Sequence, residues 1–275
     1  MRATAARPGL AALCAAALVL SLVAGCISQA SVPTATTLDM AITAAFLTDN
    51  APPSGFGAAV QFAPVDKNLE LLPHWHYSVS LSFVGTLDDG GDAMDGEIIA
   101  DVYSNELVGE RRVILRASGD AFAQDAQRNV EGVRLGNAFY FVDQNGVCSD
   151  VTNSENPRVA DLTAGSLVGG VRLGSPTTTH RTVDDIQVWQ YVFLPGDVDP
   201  PVLTLAEGGS ARIASGELWI APSLNAVKEY NITLEVSGAV IPVFQDQRPA
   251  SGTLQATYRL EETMEPYNIA IPFGC

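Results

Sequence analysis

Side chains that could perform acid–base or metal chemistry are few in this sequence and widely spaced. Its three histidines are His74, His76 and His180. Five carboxylates lie between Asp88 and Glu97, but Ala93 stands where a calcium-binding loop needs its turn glycine. We interpret the first two histidines as the start of a strand, and His180 and the acidic stretch as solvated loops.

Motifs of the common catalytic sites do not occur in this sequence. There is no Gly-x-Ser-x-Gly elbow, no Ser-x-x-Lys, no His-Glu-x-x-His and no phosphate-binding Gly-Lys-Ser/Thr loop. The sequence therefore predicts a protein that is not an enzyme and that holds no metal and no cofactor.

The N-terminal residues carry a clearer chemical signal. Arg2 and Arg7 precede a short apolar run that ends in Leu-Val-Ala-Gly-Cys26. The run is too short for a bilayer core of about 30 Å, which needs roughly 20 residues, and has the layout of a secretory signal. Its end resembles the lipobox of bacterial lipoproteins. We expect residues 1–25 to be a signal peptide and Cys26 to be lipidated; the alternative is an ordinary signal peptide with a chance cysteine.

The expected leader also determines the interpretation of the other cysteines. Cys14 would leave with the signal peptide, and acylation would occupy Cys26. Only Cys148 and Cys275 remain, and an oxidising exported compartment favours a disulfide. We therefore predict that these two residues are paired, with two independent buried thiols as the alternative.

Net charge restricts the partners that this protein can have. The formal charge is −16, and loss of Arg2 and Arg7 with the leader would make it −18. Such an excess of acid argues against binding nucleic acid, and against attraction to anionic head groups by overall charge. Hydrophobic residues make up 47% of the chain, enough to form a core. We expect the protein to meet the membrane through its acyl chains.

Hydrophobic alternation indicates a mainly β domain over residues 38–275, after the lipidated cysteine and flexible tether of residues 26–37. The period is two in Tyr77–Phe83, Lys228–Val236 and Leu254–Leu260. Further strands are predicted at residues 97–103, 111–117, 136–142, 147–151, 186–194, 211–220 and 269–271. A short helix is predicted at residues 38–47, and another at residues 161–170 with Asp161 as its N-cap. About ten strands at hairpin-like spacing favour an antiparallel sheet.

One predicted strand is apolar on both faces. Trp189, Tyr191 and Phe193 share one face, and Ile186, Val188 and Val192 share the other. Such a strand has no solvent side, so either helices cover the second face or that face lines an apolar cavity. Trp219, beside Leu218 and Ile220, repeats the pattern more weakly.

Four segments of the C-terminal half resemble bacterial lipoproteins with the LolA/LppX-like fold. They are Thr182–Tyr191, Ala214–Ile220, Val227–Tyr230 and Asn268–Cys275. The sequence departs from the family pattern at Asp184-Asp185, where Asn-Gly is usual, and at Gln190, where His is common. These substitutions suit the same turn and strand.

The resemblance implies a curved antiparallel sheet that forms an incomplete barrel with short helices over its concave face. It also implies a lipid-anchored, non-catalytic carrier or sensor that holds a lipophilic ligand in an apolar cavity at the outer face of the membrane. The cavity residues would be Trp189, Tyr191, Phe193 and Trp219, covered by Asp161–Gly170. The alternative is a structural or interaction lipoprotein whose core is filled by its own side chains.

The lipidation hypothesis makes a direct prediction. Replacing Cys26 by serine should leave the protein unacylated or uncleaved, because the thiol is the acyl acceptor. Mass spectrometry of the N-terminal peptide and partitioning into detergent would measure this. A Cys26→Ser protein that is correctly cleaved and still partitions like the wild type would contradict the hypothesis.

Overall fold

The computed structural model describes residues 51–122, 128–154, 159–262 and 265–275. The predicted signal peptide, Cys26, the tether and the helix at residues 38–47 lie outside the described residues. Within them, no helix is long and apolar enough to cross a membrane.

Strands account for most of the described chain. They are β1 (Val60–Phe62), β2 (His74–Leu87), β3 (Ala93–Asn105), β4 (Glu110–Ser118), β5 (Arg128–Leu135), β6 (Ala138–Val142), β7 (Cys148–Asp150), β8 (Gly170–Val183), β9 (Ile186–Val192), β10 (Val198–Asp199), β11 (Thr204–Ala221), β12 (Ala226–Val240) and β13 (Ala250–Glu262). One α-helix, α1 (Ala164–Val168), and 3-10 turns at Leu69–Leu71, Glu106–Val108, Val159–Asp161 and Pro195–Asp197 complete the elements described.

All pairings between these strands are antiparallel, and the sheet is not closed into a barrel. The order is β1-β8-β9-β11-β12-β13-β2-β3-β4-β5-β6-β7, and β10 pairs with β8. The two ends of this order, β1 and β7, are not paired with each other among the described residues. The predicted class, an antiparallel sheet forming an incomplete barrel with few helices, is therefore confirmed.

The alternation of side chains gives the sheet an apolar inner face and a more polar outer face. On β2, Tyr77, Val79, Leu81 and Phe83 are at most 1% exposed, whereas the intervening serines are only half-buried. Successive side chains on a strand point to opposite faces, so the sequence pattern determines the buried side. The apolar residues of the neighbouring strands join the same core.

A cover made of the chain segments 51–72 and 159–169 lies over the inner face. Helix α1 packs against β2 and β13. Its N-cap is Thr163, whose Oγ1 accepts the Ser166 N–H, and it ends at Gly169 with φ 70°. The prediction of Asp161 as N-cap is wrong, because Asp161 belongs to the preceding 3-10 turn.

The two segments of the cover are joined by hydrogen bonds. The Asp66 carboxylate accepts the N–H groups of Ala164 (2.8 Å) and Gly165 (3.1 Å), at the N-terminus of α1. The Val65 N–H donates to the Gly169 carbonyl (3.0 Å) at the other end of that helix. Burial of Val65, Leu69, Leu167 and Val168 in the core attaches the cover to the sheet.

Three local predictions differ from the structure. Strands β1, β5, β8 and β10 were not predicted. Strands β1 and β10 are only three and two residues long, charged residues interrupt β5, and threonines dominate the exposed half of β8. His180 consequently lies in β8 and not in a loop, paired with Trp189. Residues 269–271 form no strand, although Ile269 is buried.

A disulfide joins Cys148 of β7 to the final residue, Cys275, with their Cα atoms 5.3 Å apart. This is the pairing that the sequence predicted. The C-terminal segment is also attached by Asn105, whose side chain exchanges two hydrogen bonds with the Tyr267 backbone (2.8 and 2.9 Å). The disulfide joins two residues that are 127 positions apart in the sequence, and it attaches the C-terminal segment to the edge strand β7.

The turn between β8 and β9 shows why Asp184-Asp185 can stand where the LolA/LppX-like pattern usually has Asn-Gly. Asp184 and Asp185 both have positive φ (49° and 62°), as a two-residue hairpin turn requires. The Asp184 carboxylate lies 3.0 Å from Nζ of the fully buried Lys228 and accepts from Arg259 (3.1 and 3.2 Å). The neighbouring Lys228 ammonium and then the Arg259 guanidinium lower the pKa of Asp184.

This turn offers two matched substitutions. Asp184→Asn should reduce the free energy of unfolding by about 1–3 kcal/mol, because it leaves the buried Lys228 ammonium without its counter-charge. Asp185→Gly should leave stability unchanged or slightly raised, because glycine favours the positive φ at this position. Urea unfolding at neutral pH would measure both changes.

The pH dependence of the same variants provides a control. Because the folded state lowers the pKa of Asp184 from its ordinary value of 3.8, its stabilising contribution is present above that pH. The contribution is lost as the pH falls through the lowered folded value. The stability difference between wild type and Asp184→Asn should therefore shrink in strong acid, and a difference independent of pH would contradict the assignment.

Candidate functional site

A continuous row of cross-strand neighbours crosses the inner face under the cover. Each residue pairs with the next on the adjacent strand, in the order Tyr191, Leu218, Tyr230, Tyr258, Val79, Ala100 and Leu115. Tyr77 lies beside this row, with its ring centroid 5.3 Å from that of Tyr258. Four tyrosines therefore lie among the mainly apolar residues of this part of the inner face.

Two of these four tyrosines hold the cover in place. The Tyr191 hydroxyl donates to the Phe56 carbonyl (2.6 Å), and the Tyr77 hydroxyl donates to the Leu162 carbonyl (3.5 Å). Burial raises the pKa of Tyr191 to about 12, so its hydroxyl remains protonated at neutral pH and can donate. The hydroxyls thus connect the apolar sheet to the backbone of the cover.

The other two tyrosine hydroxyls are buried without a hydrogen-bond partner in the described part of the chain. They belong to Tyr230 and Tyr258, which are at most 1% exposed. Burial raises the pKa of both residues, so both stay protonated. A buried hydroxyl that makes no hydrogen bond loses its hydration without compensation, which is costly.

The structure brings three of the four predicted cavity residues together. Trp189 and Tyr191 are buried on the inner face, and Phe193 is half-buried against the same core, 6.3 Å from Tyr230 between ring centroids. Trp219 lies on the opposite face, because Leu218 and Ile220 are the residues that pair on the inner side with Tyr191 and Trp189. Trp219 is therefore separated from the other three.

Trp219 belongs to a small outer cluster with Val188 and Ala221. The Arg181 guanidinium lies 4.0 Å above its ring centroid and also forms an ion pair with Glu229. A cation over an indole face is a stabilising contact. This cluster accounts for Val188 and Ile186 on the second face of β9, whereas Val192 on that face is exposed. The sequence could not distinguish such a local cluster from a cavity wall.

The segment that closes the aromatic face differs from the one expected. Tyr191 is covered by Phe56 from the start of the described chain, whereas α1 packs over β2 and β13. The side chains of the cover join one core with those of the sheet. Side chains of the chain itself thus pack against the face that the sequence predicted to line a cavity.

Arg111 is a functional candidate that the sequence analysis missed. Its Nη2 donates to the Leu162 carbonyl of the cover (2.5 Å) and lies 3.3 Å from the Tyr77 hydroxyl. The guanidinium also lies 5.3 Å from the centroid of the Trp75 ring. The sequence did contain a signal for this residue. Arg111 follows the same alternation as Val113 and Leu115, which places all three side chains on the inner face of β4.

The remaining candidates for acid–base or metal chemistry do not converge. In the ranges that the structure describes, no three metal-binding side chains group together. His76 lies on β2 with Nδ1 3.0 Å from Glu261 and Nε2 3.5 Å from Asp101, and its ring stacks on Tyr103. The His180 ring packs near Trp189, with centroids 5.4 Å apart.

Comparison with known proteins gives no family assignment. No protein-family model and no curated protein matches the chain. Among solved structures, it is similar to an uncharacterized conserved protein from Thermus thermophilus, at 12% identity and a TM-score of 0.25, over 81% of this chain and 90% of that one. It is also similar to a LolA superfamily protein from Nitrosomonas europaea, at 10% identity and a TM-score of 0.21, over 74% and 87%. Both TM-scores are too low to bear on function.

The two kinds of tyrosine hydroxyl predict opposite effects of the same substitution. Tyr191→Phe removes a hydrogen bond to the cover and should lower the free energy of unfolding by about 0.5–1.5 kcal/mol. Tyr258→Phe removes a buried hydroxyl that is not hydrogen-bonded, and should be neutral or stabilising. Denaturant unfolding of the ligand-free proteins would compare them. A larger loss for Tyr258→Phe than for Tyr191→Phe would contradict this description of the site.

Proposed function

We propose that this protein is an exported, lipid-anchored and non-catalytic carrier or sensor of a lipophilic ligand. The ligand would lie along the inner face of the sheet, in the space that the cover occupies when closed. Its apolar part would contact the row from Tyr191 to Val79, where burial contributes roughly 25 cal/mol per Å² of apolar surface. The lipid anchor at Cys26 would keep this site next to the membrane.

The observation that carries the proposal is the pair of buried hydroxyls on Tyr230 and Tyr258. Ligand sites in proteins are mostly apolar, with a few polar groups that orient the bound molecule. An ester or hydroxyl oxygen of a lipid would give these tyrosines the hydrogen bonds that they lack among the described residues. Tyr230 and Tyr258 are cross-strand neighbours on β12 and β13. Their hydroxyls would bind one polar group of the ligand within a mainly apolar face.

The way the cover is built supports a mechanism in which the cover opens to let the ligand reach the inner face. Only one short α-helix occurs among its described residues, and the polar contacts that attach it to the sheet include those from Tyr77, Tyr191 and Arg111. Displacing the cover would break these bonds and expose apolar surface, and a hydrocarbon ligand would offset that cost. In this mechanism, binding shifts the chain from a closed state to an open one.

A structural or interaction lipoprotein is the second candidate. The specific observation in its favour is that Phe56 and the residues of α1 pack against the inner face of the sheet. In that case the cover would stay closed, and partners would bind on the outside. The two candidates therefore differ in whether lipid ever reaches the inner face.

Lipid content of the purified full chain would distinguish them. Native mass spectrometry and solvent extraction should find bound lipid in the wild type. The double substitution Tyr230→Phe and Tyr258→Phe should reduce that lipid about tenfold, because it removes the polar contacts while preserving shape and stability. Tyr103→Phe is the matched control, since Tyr103 lies on the outer face beside His76.

The melting temperature of each variant must be measured in parallel. Reduced lipid with an unchanged melting temperature would support carriage. Absence of lipid from the wild type, or equal lipid in all three proteins, would reject the carrier function and leave the interaction lipoprotein.

A further inference from the structure

The inner face changes character at one end of the sheet. There the cross-strand row consists of Trp75 on β2, Ser104 on β3, Arg111 on β4 and Arg134 on β5. Arg111 and Arg134 are directly opposite each other on neighbouring strands, and both are half-buried. Like charges in this arrangement destabilise a sheet, so the pair requires an explanation.

A pocket of about 360 Å³ lies at this arginine pair. Its lining includes Trp75, Arg111 and Arg134 from the sheet, and Asp66, Lys67 and Thr163 from the cover. The pocket therefore lies where the cover meets the end of the inner face. A molecule lying along the inner face could extend one end into it.

The two guanidinium groups retain unused donors. Each guanidinium carries five N–H groups. The hydrogen bonds of Arg111 to Leu162 and Tyr77 both use Nη2, and its buried Nε has no partner within the residues described. The Nε of Arg134 is likewise buried without such a partner, while its Nη1 lies 3.7 Å from Asp161.

Asp161 forms an ion pair with Nη1 of Arg134 (3.7 Å), whereas the acidic side chains that line the pocket form no ion pair with either arginine among the described residues. The Asp66 carboxylate accepts hydrogen bonds from the two N–H groups at the start of α1. The Glu106 carboxylate accepts a hydrogen bond from the Ser104 hydroxyl (2.7 Å). Glu70 also lines the pocket but is exposed, and Lys67 adds a third cation whose Nζ lies 3.5 Å from the Gln61 carbonyl. The donors of the arginine pair therefore remain available to an anion.

We propose that this pocket binds an oxyanion, a phosphate or carboxylate group, between Arg111 and Arg134. Resting on the carrier function proposed above, the oxyanion would be the head group of an anionic lipid whose acyl chains follow the inner face. Two arginines match the planar geometry of such oxygens, and their charge-assisted hydrogen bonds are stronger than neutral ones. The strongly acidic remainder of the protein would repel any anion, and burial of an apolar part would offset that repulsion for a lipid.

Binding measurements with three probes would test the site on the purified full chain in a nonionic detergent. They are inorganic phosphate, dioctanoyl phosphatidic acid and dioctanoylglycerol, which shares the acyl chains but has no phosphate. Wild type should bind the phosphatidic acid at least about tenfold more tightly than the dioctanoylglycerol. Arg134→Gln should remove that difference and leave the affinity for dioctanoylglycerol unchanged.

Arg116→Gln is the matched control, because Arg116 is on the outer face of β4 and pairs with Asp101 (2.5 Å). It should not change the affinity for any probe. Without ligand, Arg134→Gln should melt close to the wild-type temperature, since relief of the repulsion with Arg111 offsets loss of the weak, partly exposed ion pair with Asp161. A large fall in melting temperature would instead assign Arg134 a structural role and overturn the proposal.

The outcomes separate the anion site from the carrier function. Equal affinity for both lipids, unaffected by Arg134→Gln, would overturn the anion site and leave the carrier in place. Binding of inorganic phosphate that depends on Arg134, with no binding of either lipid, would support the anion site and reject the carrier. Binding of none of the three probes would reject both.

Discussion

The rest of this structure depends on one requirement, which is to keep the inner face of an open sheet away from water. A closed barrel shields its own interior, but here β1 and β7 are not paired with each other. The chain therefore supplies a cover from residues 51–72 and 159–169. Because the cover contains little regular structure, polar side chains rising from the sheet, such as Tyr77, Tyr191 and Arg111, hold its backbone. In the proposed carrier function, the core would open at this surface without unfolding the sheet.

The distribution of charge follows from the same requirement. Ion pairs such as Arg116–Asp101 and Arg181–Glu229 lie on the outer face, where water screens them and their contribution to stability is small. Arg111 and Arg134 are different, because they face inward where the cover meets the sheet. The protein thus combines a strongly acidic composition with a pair of arginines that face inward. The net charge of the whole chain gives no indication of such a local pair.

Alternation of side chains allowed much of the sheet to be predicted from the sequence. The strands containing Tyr77–Phe83, Lys228–Val236 and Leu254–Leu260 were recognised because each has one wet and one buried face. Strand β8 was not, because its distal half is exposed and rich in threonine, so hydrophobicity does not alternate. The aromatic strand has apolar residues on both faces, but the inference that it has no solvent side is wrong, because Val192 on its outer face is exposed. The pattern also could not say what covers either face.

The sequence by itself determined the local pattern: the antiparallel strands, the pairing of Cys148 with Cys275, and the lipobox-like segment before Cys26. Only the tertiary structure decided which side chains meet. The strand register places Trp219 on the face of the sheet opposite to Tyr191, and it makes Arg111 and Arg134 cross-strand neighbours. The cover over Tyr191 comes from Phe56, 135 residues earlier in the chain. Such contacts depend on strand order and on the path of long connections, whereas periodicity in a sequence reports only whether a side chain is buried, not against what.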